Sequence, residues 1–107
     1  MADVDLRVRL DANNEKNART VLKRLAALIT FDMSELSPHH DGSYIARLKA
    51  TVPEGTWPEQ VVAAIDLAQT FGYGWDLDGH IAEELSMHAA RFSVSGLVSA
   101  SLLLSRG

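Results

Sequence analysis

Apolar and polar residues alternate strictly at the start of the chain. Val4, Leu6, Val8 and Leu10 fall on one side, and Asp3, Asp5, Arg7 and Arg9 on the other. This period of two marks a half-buried strand. Residues 11–14 then offer Asp or Asn as a helix N-cap. From there Ala18, Val21, Leu22, Leu25 and Leu28 recur at helical spacing, with Lys16, Arg19, Lys23 and Arg24 elsewhere. The spacing predicts an amphipathic helix of about four turns. Residues 29–37 predict a second strand, with Phe31 and Met33 alternating against Asp32 and Ser34. Pro38-His39-His40-Asp41-Gly42 has turn composition. Beyond it Tyr44, Ala46, Leu48, Ala50 and Val52 alternate with Ile45, Arg47, Lys49 and Thr51, which completes a hairpin.

Pro53-Glu54-Gly55 breaks the pattern, and Thr56-Trp57-Pro58-Glu59 reads as a capping box with proline in the first turn. Val61, Ala64, Ile65 and Ala68 continue a second helix, and Gly72 and Gly74 suit its C-terminal cap. Residues 75–78 alternate as a short strand. For residues 79–91, Ile81, Leu85, His88 and Phe92 are spaced four, three and four apart, and Ala82-Glu83-Glu84-Leu85 are good helix formers. A short third helix is the expectation. The rival is a longer fourth strand with Ile81, Glu83, Leu85 and Met87 on one side. Residues 97–104 predict a fifth strand.

The order βαββαβ, with these connection lengths, predicts an α+β fold: a ferredoxin-like sandwich with an antiparallel sheet and both helices on one side, extended by the short helix and fifth strand. The length of 107 residues fits a single domain spanning the whole chain. Cysteine is missing, which excludes disulfides and thiolate chemistry within the chain. The acidic start lacks the basic-then-apolar order of a signal peptide, and no stretch is long and apolar enough to span a bilayer. A cytoplasmic protein is expected.

Net charge is −4, which argues against a protein held by nucleic-acid phosphates. The charge is uneven: residues 1–53 sum to +1 and residues 54–107 to −5. In the ferredoxin-like order the first and third strands are central neighbours. Their outward positions bring Arg7, Arg9, Arg47 and Lys49 together as a candidate binding surface for an anion or a protein partner, with Asp3 and Asp5 further along. Asp76 and Asp78 join them if the fourth strand lies beside the first. The competing explanation is a solvated sheet surface with cross-strand ion pairs. Those outward positions hold no aromatic residue on which RNA bases would stack.

No nucleophile elbow, phosphate loop or dinucleotide fingerprint is present, and no cofactor is implied. His39 and His40 are adjacent on an extended loop, so their side chains are expected to point apart and match no metal signature. Asp76, Asp78 and His80 share one side if the strand runs on to His80. His88 is expected to pack on the third helix, and Trp57, Trp75 and Phe92 to anchor the core. The uncharged terminal strand carries Leu97 and Leu103 on one side and Val98, Leu102 and Leu104 on the other. As an exposed edge it would aggregate, so burial by the third helix or pairing in a homodimer is expected. The first functional reading is a non-catalytic binding or assembly module acting through its sheet surface or last strand. The alternative is a small dimeric enzyme or small-molecule binder, of the cofactor-independent monooxygenase or isomerase type, with a pocket drawn from Tyr44, Tyr73, Trp75, Asp78 and His80.

Overall fold

The computed structural model describes residues 2–106. The first strand, β1 (Ala2–Leu10), follows its alternation: Val4, Leu6, Val8 and Leu10 are buried while Asp3, Asp5 and Arg7 are exposed. Asn14 caps α1 (Glu15–Ala26) by accepting the Asn17 N–H at 2.8 Å. Glu15 in its first turn and Lys23 and Arg24 in its last match the helix dipole. Strands β2 (Asp32–Pro38) and β3 (Tyr44–Val52) form the hairpin. The capping box opens α2 (Trp57–Phe71) with both reciprocal hydrogen bonds in place. Gly72 does not end α2 in the left-handed conformation: its φ is −146°. Its neighbours are close instead: a Cβ there would come within 3.1 Å of the Phe92 and Trp75 rings, which would have to give by a few tenths of an ångström.

Five further strands follow: β4 (Gly72–Tyr73), β5 (Asp76–Asp78), β6 (Glu84–Ala89), β7 (Arg91–Phe92) and β8 (Leu97–Ser105). The main sheet has six strands in the order β2-β3-β1-β8-β6-β5, every neighbouring pair antiparallel, and β4 pairs with β7 apart from it. The buried residues of both helices and the inward residues of the sheet form one cluster. Phe71 lies fully buried in it, with Trp75 edge-on at 5.6 Å and Phe92 stacked at 6.3 Å. Trp57, Trp75 and Phe92 are only partly buried around this core. No helix among the described residues is long and apolar enough to cross a membrane.

Four expectations are corrected. Residues 79–91 form no helix. A turn at residues 81–83 leads into β6, where Leu85, Met87 and Ala89 face the core at period two. Carbonyls that helix would use are taken elsewhere: Trp57 Nε1 donates to Ile81, and Arg106 donates to Ala82 and Glu83. Residues 76–78 do not lie beside β1. They sit at the far edge of the sheet, and β8 takes the place next to β1. The last strand is therefore no edge, because β1 and β6 pair with both of its sides. That removes the reason for seeking a partner there. A register shift sets Arg9 opposite Ser99 but Leu10 opposite Leu97, leaving Val98 as an extra residue. This bulge turns Leu97 inward along with Ala100, Leu102 and Leu104, so the two-sided split of apolar residues is corrected as well.

Candidate functional site

The side of the sheet away from the helices carries nearly all the polar side chains of the strands. The pairing register sets them in transverse rows. One row runs Glu35, Arg47, Arg7, Ser101, His88, Asp76 from β2 to β5. The next runs Asp32, Lys49, Asp5, Leu103, Ser86, Asp78. Arg7, Arg47 and Lys49 thus come together on one surface, with Arg9 at its end opposite Ile45.

Their partners differ. Arg47 Nε reaches Glu35 at 3.3 Å, Lys49 reaches Asp3 at 3.9 Å, and Arg9 reaches Asp41 at 3.7 Å. Arg7 has no carboxylate or hydrogen-bond partner among the described residues. It lies directly opposite Arg47, a like-charge arrangement that disfavours the free sheet. A trough of about 500 Å³ lies over this place, lined by Asp5, Arg7, Arg47, Lys49, Ser101 and Leu103 among others. A smaller hollow of about 170 Å³ continues it past Arg9 and His39. Arg9 Nε is buried without a hydrogen-bond partner.

The hairpin loop closes the Arg9 end. Asp41 accepts from the Ser43 hydroxyl at 2.6 Å, from the Ser43 N–H at 3.0 Å, and lies 3.0 Å from His39 Nδ1. These bonds, the Ser43 hydroxyl first, hold its carboxyl well below the usual range. Asp41 therefore stays ionised opposite Arg9. The His39 and His40 rings do not diverge as expected; their centroids are 4.0 Å apart. Among the described residues no group of three or more potential ligands could hold a metal ion.

His88 is exposed on the open side, not packed in the core, and its Nδ1 lies 3.0 Å from Ser101 Oγ. Asp76 is its cross-strand neighbour, but no hydrogen bond joins the two among the described residues. His80 does not share a side with Asp76 and Asp78: β5 stops at Asp78, and Gly79 turns the chain with φ +83°. The five residues of the alternative pocket do not converge. Tyr44 lies at the end of β3 against Leu10 and Pro38. Asp78 ends β5, and His80 begins the turn before β6. Only Tyr73 and Trp75 share a hollow, of about 290 Å³, and Trp75 Nε1 is already committed to the Ala68 carbonyl at 3.2 Å. Sequence reasoning placed Asp76 on this surface only if its strand lay beside the first, and it missed Ser101 and His88, because it preferred a helix to the rival strand for residues 79–91 and left the neighbours of the last strand open.

Among the described residues no polar or charged residue is buried as a whole, so apart from atoms such as Arg9 Nε the polar chemistry of the molecule lies on its surface. Comparison with known proteins finds no match, neither a family model nor a curated protein nor a solved structure.

Proposed function

We propose that this protein is a small non-catalytic binding and assembly module, and that the uncovered side of its sheet docks a partner bearing carboxylates. One observation carries the reading: an unpartnered guanidinium, Arg7, beside a second one, Arg47, in a trough of about 500 Å³. A carboxylate placed there gains charge-assisted, geometrically specific hydrogen bonds. It also relieves the repulsion that two facing cations create. The net charge of −4 and the lack of outward aromatics on β1 and β3 favour a protein over a nucleic acid. The same proposal treats β2-β3-β1-β8 as a ferredoxin-like set into which residues 72–92 are inserted, and it sets the module in the cytoplasm.

Titration with oligoglutamate, followed by backbone amide NMR, tests it. The shifts are expected to centre on Arg7, Arg47 and Ser101, to weaken with salt, and to vanish in the Arg7→Glu, Arg47→Glu double variant. Shifts spread evenly over the surface, or unchanged in that variant, overturn the reading. A second reading, a small-molecule site, is favoured by the Ser101–His88 pair at 3.0 Å beside the same trough. A serine-directed acylating probe that labels Ser101 in the natural chain but not in His88→Ala selects it.

A further inference from the structure

On the open side of the sheet the cations are confined to two strands. They sit on β1 and β3, interleaved with Asp3 and Asp5 of β1 and flanked by Asp32 and Glu35 of β2. The outward residues of β5 are Asp76 and Asp78, and β6 adds Glu84, Ser86 and His88 without a Lys or Arg. Between the two groups runs β8, whose outward residues Ser99, Ser101 and Leu103 are small or apolar. Leu103 remains 37% exposed among polar neighbours.

The strand order gives this arrangement a symmetry. Starting from β8, β1 and β3 lie one and two strands away on one hand, and β6 and β5 one and two strands away on the other. A two-fold axis in the plane of an interface, parallel to β8 and directly over it, lays β1 on the partner's β6 and β3 on the partner's β5. Such an axis preserves height along the strands, so each row meets itself reversed. Arg47 then falls over the partner's Asp76, and Lys49 over the partner's Asp78. Arg7 falls over the partner's His88, next to the partner's Asp76, and Leu103 meets the partner's Leu103. Packed sheets cross at about 30°, an offset that long Arg and Lys side chains can span. Glu35 and Asp3, which hold Arg47 and Lys49 within one chain, leave those cations with donors to spare.

We infer that the open side of the sheet is covered by a second copy of this chain, in a two-fold face-to-face dimer paired through Arg47 with Asp76 and Lys49 with Asp78. The inference rests on the binding-surface reading and names its partner. In the overlap β8 contributes its nine residues, β1 and β6 the six of β6's length, and β3 and β5 the three of β5's length, which project to roughly 450 Å² per chain at strand spacing. Stable interfaces bury about 800 Å² of accessible surface per partner, so the area is that of a weak, transient contact. Complementary charge sets register more than affinity. The dimer is therefore a weak, salt-sensitive one.

Sedimentation equilibrium from micromolar to millimolar concentration provides the test. The natural chain is expected to rise from 11.7 kDa toward twice that mass. The Arg47→Glu, Lys49→Glu variant is expected to lose at least about tenfold in dimer affinity, and the Asp76→Lys, Asp78→Lys variant likewise. Mixing the two restores association, because only the mixed pair brings opposite charges together at all four contacts. Circular dichroism confirms that each variant is folded. A natural chain that stays monomeric but still takes oligoglutamate in an Arg7-dependent way overturns the dimer and leaves the binding surface standing. A monomer indifferent to the peptide overturns both. A dimer that neither charge reversal weakens uses another surface and overturns the inference.

Discussion

Replacing Gly96 with alanine tests how tightly the last connection is clamped to the first helix. Gly96 has φ +99°, a region costly for any residue with a Cβ, and an added Cβ would stand 2.6 Å from Val21 Cγ2. Val21 is buried on α1 and only 4% exposed. As a β-branched helical residue it has one favoured rotamer, so it cannot swing aside. The backbone change costs about 1–2 kcal/mol and the overpacking about 1–3 kcal/mol more. The expected loss is about 2–5 kcal/mol, a large share of the roughly 5–15 kcal/mol that holds a domain together. Gly42→Ala is the matched control: its φ is +89°, but nothing lies within 4 Å of the added Cβ. Urea unfolding followed by circular dichroism measures both, and an unchanged m-value keeps the comparison valid. The difference between the two variants isolates the clash with Val21. Adding Val21→Ala to Gly96→Ala should recover part of the loss, as a positive coupling in the double-mutant cycle. Gly96→Ala no worse than Gly42→Ala would refute the clamp.

Thr56→Ala removes the α2 cap and is expected to cost about 1 kcal/mol in the same assay. Glu59, held below its ordinary pKa of 4.5 by the Thr56 hydroxyl and then the Thr56 N–H, gives a contribution that is complete above that value and lost as pH falls below it. Glu59→Gln should therefore flatten the fall in urea midpoint on acidification, and an unchanged slope counts against the capping box. Met87→Ala, at 1% exposure on β6, is expected to cost about 2–5 kcal/mol. Glu83→Ala in the preceding turn should stay within about 0.5 kcal/mol; comparable losses at both would return residues 79–91 to a helix.

Local signals that agree with one another were legible from the residues alone. The alternation of β1 and β3, the Asn14 cap and the Thr56–Glu59 box each describe contacts within a few residues, and the structure keeps them all. The arginine and lysine surface was legible for the same reason, since neighbouring strands of alternating pattern must share their outward side. Residues 79–91 failed because two periods overlap there. Leu85, His88 and Phe92 fit a helix while Leu85, Met87 and Ala89 fit a strand, and only pairing with β5 and β8 decides between them. The position of β8 was hidden for a related reason: its mates are separated from it by up to about the whole chain, and nothing in its own eight or nine side chains says which strands will flank it. The bulge at Val98 could not be read either, because it goes with pairing between segments far apart in the chain, where the Asp11 N–H bonds to the Gly96 carbonyl at 2.8 Å.

The strand that closes the sheet is also the last of the described strands in chain order. Until β8 leaves the ribosome, at about 5–20 residues per second, β1 lacks a neighbour on one side and β6 has only the three-residue β5 beside it. The nascent chain therefore holds two fragments of sheet with open flanks, and neither can zip up early. The two fragments become one sheet only when β8 slots between β1 and β6, so the sheet is completed from its middle rather than from an edge.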